Sequence, residues 1–213
     1  MEFVQHLFGG SLQPGITEIW GDPDAGKSTL AFQSTALLPS PRILFFDLDN
    51  KASPLLMKAA PSDADILVCS LRDPVEINQA IADILPYVSC VIVDSFSGLQ
   101  ESAPGHHWQS LLLYTLHHQS KVHKVPVIVV NQYRYRQDAQ QTLPTGASDK
   151  ARRLFVRRIR LLHKKDGVSV VAESLDVNGR ETCRATLCMG PMGLWPVEFS
   201  AVVERKSLLE RHK

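Results

Sequence analysis

Gly21-Asp22-Pro23-Asp24-Ala25-Gly26-Lys27-Ser28 has the spacing G-x-x-x-x-G-K-S, that of a loop built to wrap phosphates. Its residue types explain why. Glycines let successive backbone N–H groups turn inward around an anion. A helix starting at Lys27 adds the partial positive charge of its N-terminus. The Lys27 ammonium brings a point charge to β- and γ-phosphates, the Ser28 hydroxyl suits magnesium, and Thr29 reaches the α-phosphate. A second acidic residue must help hold the metal. Asp94 closes the apolar run Cys90-Val91-Ile92-Val93, and ligands gather at the carboxyl ends of parallel strands. The expected ligands are ATP and Mg2+.

Such a loop works only between a strand and a helix. Ile16–Trp20 reads as the strand before it and Lys27–Leu38 as the helix after it. Arg42–Leu48, Ile66–Ser70, Cys90–Asp94 and Val127–Asn131 read as further buried strands. Asp73-Pro74-Val75-Glu76 is a helix start, with Asp at the N-cap, Pro at N1 and Glu at N3. Ile77, Ala80, Ile81 and Ile84 then share one face, and Pro86 lies at the end. His107–His123 is a long helix. Strands alternating with amphipathic helices predict an α/β fold: a mainly parallel sheet covered by helices on both faces. After Ala151 three strands, Leu154–His163, Val168–Asp176 and Thr182–Met189, with a turn at Asn178-Gly179, predict an antiparallel C-terminal extension. The expected organisation is one core over residues 1–203 and a charged tail over 204–213.

Composition fits that reading. With 213 residues, 44% of them hydrophobic and 21% charged, there is apolar material for one core. No apolar run approaches the ~18 residues of a membrane span, so no membrane partner is expected. The start MEFVQHLFGG lacks a basic region followed by a long apolar stretch, so the expected location is the cytoplasm, or the nucleus in a eukaryote. Cys69, Cys90, Cys183 and Cys188 sit in apolar segments without zinc-ligand spacing and read as free thiols. The His106-His107 and His117-His118 doublets have no partners at ligand spacing. Total charge is only +1, yet Arg134 to Lys165 holds ten Lys or Arg and two Asp, a net +8 that leaves −7 for the rest. One basic stretch on an acidic body points to an anionic partner.

Four segments, in order, resemble the core of RecA-family recombinases, in particular the archaeal and eukaryotic RadA-type branch and its paralogues. LFGGSLQPGITEIWGDPDAGKSTLA resembles the entry to that core. FFDLD resembles its second strand, CVIVDSFSGL its metal-binding strand, and VIVVNQYR its Asn-Gln strand. The resemblance spans roughly Leu7 to Arg160. It implies a RecA-like P-loop NTPase in which Asp49 orients and deprotonates the attacking water and Gln132 senses the γ-phosphate. Gln132 would pass that signal to a DNA-binding loop, here Tyr133–Gly146. Tyr133, Arg134, Tyr135 and Arg136, with Lys150, Arg152 and Arg153 beyond, suit single-stranded DNA: arginines pair with phosphates and tyrosines stack on bases. The other reading of these residues is a solvated strand end whose arginines pair with acidic neighbours. The strand LFVRRIRLLHKK can hold arginines on an exposed face.

Departures from the family shape the functional expectation. Asp49 is one methylene shorter than the family's Glu. The late strand that carries two lysines in RecA aligns here with Val171-Ala172-Glu173-Ser174-Leu175, which has none. Leu99–Trp108, where a first DNA loop is expected, has no Lys or Arg. These point to a core-only, RadB-like paralogue or mediator: a DNA-dependent ATPase, weak in hydrolysis, acting in homologous recombination or DNA repair. Another recombinase or repair protein is an expected partner, in a homo- or hetero-oligomer. Two alternatives stay open. One is a non-catalytic interaction module stabilised by ATP, and the other a KaiC-like signalling ATPase that binds no DNA.

Overall fold

A computed structural model describes residues 2–71, 73–96, 107–132, 151–191 and 193–201. They form one sheet of nine strands: β1 Gly15–Gly21, β2 Arg42–Asp47, β3 Asp65–Cys69, β4 Cys90–Asp94, β5 Pro126–Gln132, β6 Phe155–His163, β7 Ser169–Leu175, β8 Glu181–Gly190 and β9 Gly193–Ala201. Their order across the sheet is β3-β2-β4-β5-β1-β6-β7-β8-β9. The described helices are α1 Glu2–Leu7, α2 Lys27–Ser34, α3 Pro54–Met57, α4 Pro74–Ile84 and α5 His107–His123.

Apolar side chains sort onto the two faces of this sheet. On one face Phe3, Val4, Leu7 and Phe8 around α1, with Leu30, Ala31 and Phe32 of α2, pack on Ile19, Phe45, Ile128 and Leu187. On the other, Ile77 and Ile81 of α4 and Leu112, Leu113 and Leu116 of α5 pack on Leu44, Val91 and Val127. All seven residues of β1 are buried, as expected of a parallel strand covered on both faces. The α4 start is as expected: the Asp73 side chain accepts hydrogen bonds from Val75 N and Glu76 N, with Pro74 in the first turn.

The C-terminal region departs from expectation in two ways. β6 runs parallel to β1, so the antiparallel extension begins only at β7. A ninth strand, β9, pairs antiparallel with β8 where the sequence suggested none. It is tied to α2 by Gln33, whose amide donates to Leu194 O (3.1 Å) and accepts from Leu194 N (3.1 Å). Among the described residues, no helix is long and apolar enough to cross a membrane.

Candidate functional site

β1 delivers the chain to the middle of the sheet, and Gly21 makes the exit possible. Its φ is +140°, and a Cβ there would overlap the Leu161 carbonyl oxygen of β6. Asp22 N then donates to that oxygen (3.0 Å). The Asp22 carboxylate accepts from His163 N (2.8 Å), and His163 Nε2 donates to Pro23 O (2.9 Å). The first half of the loop is thus fastened to β6. Gly26 takes the left-handed conformation just before α2 (φ 82°). A Cβ there would meet Met189 Cε at 2.7 Å, so β8 and β9 form a wall against the loop. Gly26→Ala is expected to destabilise the protein by about 1–3 kcal/mol, from backbone strain plus overpacking, as read by urea unfolding. A loss under about 0.5 kcal/mol would mean that the wall gives way.

A cavity of about 240 Å3 opens beside this loop. Asp24, Gly26, Lys27, Ser28 and Thr29 line one side; Lys51 from the loop after β2 and Asp94 at the end of β4 line it too, with Val130 and Met189 completing it. Lys27 is 7% exposed, and its ammonium donates to Asp22 O (2.5 Å). Burial lowers its pKa and the Lys51 charge lowers it further, while Asp94, Asp22 and Asp24 pull it back. Asp94 is fully buried, and among the described residues neither carboxylate oxygen has a hydrogen-bond partner. Burial pushes this carboxyl up, opposed by Ser28 and Lys51. The Ser28 hydroxyl therefore acts on Asp94 from nearby without meeting hydrogen-bond geometry. A buried, unsatisfied carboxylate beside a hydroxyl is a donor set of hard oxygens that suits a magnesium ion.

The acids at the end of β2 divide their work. Asp47 stands opposite Asp94 in the sheet, and its two oxygens accept from Lys51 N and Ala52 N, both at 2.8 Å. Leu48 N donates to Asp94 O (2.7 Å). This turn presents Lys51 to the cavity. The Lys51 ammonium lies 2.8 Å from Asp49 Oδ2, which also accepts from Ser95 Oγ (2.7 Å). Burial works to lower the Lys51 pKa, but the hydrogen bond to Asp49 and the charges of Asp94, Asp49 and Asp24 outweigh it and raise it. Asp49, expected to handle the attacking water, stands one step behind Lys51. Sequence reading missed Lys51; its signal was a lysine two residues past the acid that follows a buried parallel strand. Gln132 ends β5 directly opposite Gly21, where the Gly21–Ser28 loop begins.

The arginines of β6 correct an expectation. They do not line an exposed face. Arg158 Nε lies 2.6 Å from Glu18 Oε2, and Glu18 is fully buried. Arg160 pairs with Glu173, which also pairs with Arg184 (3.0 Å). Arg157 donates to Ser174 Oγ (2.9 Å). Both Arg158 and Arg160 lie over the Trp20 ring, at 5.4 and 5.6 Å. Part of the +8 stretch is therefore neutralised inside the fold by acids from β1 and β7. Glu173 occupies the late strand where the family's lysines were sought. Tyr133, Arg134, Tyr135, Arg136 and Lys150 lie outside the described residues, as does Leu99–His106. Arg152 and Arg153 fall on a short 3-10 turn, Ala151–Leu154, where Arg153 is exposed.

No family model matches the chain. It is similar to the DNA repair and recombination protein RadB of Thermococcus gammatolerans, 29% identical over 163 residues, covering 67% of this chain and 72% of that one. RadB of Thermococcus kodakarensis is 28% identical over 164 residues, covering 67% and 73%. Among solved structures, a crystal structure of the RadB recombinase superposes with a TM-score of 0.71 at 22% identity, over 92% of this chain and 97% of that one.

Proposed function

We infer, from a chain with the RecA-like fold and a RadB-like core of the RecA/RadA family, that it binds Mg2+-ATP and acts on single-stranded DNA in homologous recombination or DNA repair. It works as a recombinase paralogue or mediator, hydrolyses ATP weakly, and partners another recombinase or repair protein. One core, residues 1–203, carries this activity. The observation behind this reading is the cavity that joins Lys27, Ser28 and the unsatisfied Asp94 on a fold resembling that of RadB.

Each residue has a role in it. The loop amides from Gly21 to Thr29 and the Lys27 ammonium bind the phosphates. Ser28 and Asp94 hold magnesium, which screens phosphate charge when bound. Asp49 takes the proton of the attacking water. Gln132 contacts the γ-phosphate, and the chain leaving it, from Tyr133 to Arg136, holds DNA.

The test is ATP hydrolysis with and without single-stranded DNA, with Lys27→Ala as the zero. DNA is expected to raise the rate severalfold, and DNA affinity to fall as salt rises, with a log–log slope of about −0.7 per phosphate contacted. ATP binding with no DNA effect at low salt would overturn the DNA half of the reading. A second reading, an ATP-stabilised interaction module, has one observation in its favour: Asp49 is engaged by Lys51 and Ser95. It predicts that ATP raises the melting temperature without turnover.

A further inference from the structure

We propose that Lys51 is a second phosphate-binding cation of this site, supplied from within the chain, which exchanges Asp49 for the γ-phosphate when ATP binds. The proposal rests on the ATP reading above and adds a residue and a regulatory step to it. Lys51 lines the same cavity as Lys27 but comes from the loop after β2, whereas Lys27 opens α2. Its side chain is 44% exposed and that of Asp49 16%, so the ammonium can swing while its backbone stays pinned by Asp47. A terminal phosphate offers more charge than a carboxylate and several acceptor oxygens, so exchanging one charge-assisted hydrogen bond for another favours the phosphate. Glu173, bound to Arg160 and Arg184, stands where lysines reaching a neighbour's nucleotide were sought. Lys51 puts a positive charge at the phosphates without a neighbouring subunit.

The exchange couples binding to chemistry. Without nucleotide, the Lys51 ammonium occupies the base. Once Lys51 turns to the phosphate, Asp49 keeps Ser95 as a partner and regains capacity to accept a proton. Water oxygen then bonds to the γ-phosphorus, and the bond from that phosphorus to the bridging oxygen breaks. Its electron pair leaves with ADP, and the water proton passes to Asp49. Inorganic phosphate and ADP are the products.

Titrations of the full chain with fluorescent mant-ATP and mant-ADP in magnesium test this directly. Lys51→Gln is expected to weaken ATP about tenfold, the worth of one charge-assisted contact, and ADP by less than about twofold. Lys51→Arg should keep the preference for ATP. Asp49→Asn, which loosens the hold on Lys51, should bind ATP at least about twofold tighter while single-turnover hydrolysis falls. A purely structural Lys51–Asp49 pair predicts weaker ATP binding in both Lys51→Gln and Asp49→Asn. If wild type binds ATP and Lys51→Gln keeps its ATP-to-ADP ratio, the proposal fails and the site reading stands. If wild type binds neither nucleotide, both fall.

Discussion

Asp94→Asn is expected to lower magnesium-dependent ATP turnover about a thousandfold, while leaving the protein without ligands at least as stable as before. The first half follows from charge. A metal ion contributes several kcal/mol to stabilising charge at a reacting phosphate, and each ~1.4 kcal/mol lost is tenfold in rate. An amide in place of the carboxylate keeps the shape and removes the anion. The second half follows from burial: both Asp94 oxygens are buried without a hydrogen-bond partner, so the ionised group is held at a cost. Its folded-state pKa is raised above the ordinary 3.8 by that burial. The folded chain therefore binds the proton more tightly than the unfolded one. This group favours folding below pH ~4 and turns progressively against it as pH rises toward the folded-state value. Asp94→Asn lacks that slope, so its stability advantage in urea unfolding should grow from pH 4 upward. Magnesium with ATP should then raise the melting temperature of wild type more than that of the variant. Turnover within about twofold of wild type would remove Asp94 from the metal's surroundings.

The Gly21–Ser28 loop was legible as a strand-to-helix turn because its backbone forces residue types at fixed spacing. Gly21 and Gly26 stand where φ is +140° and +82°, and no other residue type fits those positions without strain. The parallel core was legible for a different reason: its strands are apolar on both faces and separated by helices. The direction of β6 was not legible, because a strand's residues do not encode which way it runs. Its partner is settled by β1, where Glu18 meets Arg158 in register. Pro196 hid β9. A proline argues against a central strand, but β9 lies at the sheet edge, and the β8–β9 register shifts beside it, between Thr186 and Leu187. Edges and bulges are where proline is tolerated. The β6 arginines were misread because their acids are remote: Arg158 bonds a glutamate 140 residues earlier. A glutamate inside the apolar strand Ile16–Trp20 was the available signal, since a buried charge requires a counter-charge.

Glu18→Leu should destabilise the fold by about 3–5 kcal/mol, the usual result of stripping one partner from a buried ion pair. Glu18 accepts from Asn131 Nδ2 on β5 (2.7 Å) and from Arg158 Nε on β6 (2.6 Å), so it ties β1 to both neighbours three residues before Gly21. Its loss leaves Arg158, whose side chain is 16% exposed, with a charge that the Trp20 ring meets at 5.4 Å. Among the described residues, Arg158 Nη2 already lacks a hydrogen bond. A ring contact of this kind is worth about 0.5–2 kcal/mol, less than the deficit. Against a domain stability of ~5–15 kcal/mol, such a loss exposes the Gly21–Ser28 loop to unfolding at moderate temperature. The double variant Glu18→Leu/Arg158→Met should recover most of it, because two apolar side chains replace the pair without stranding a charge. Urea unfolding of both singles and the double measures the coupling. A coupling below about 0.5 kcal/mol would mean that Arg158 finds solvent when Glu18 goes, and that packing rather than charge holds β6 beside β1.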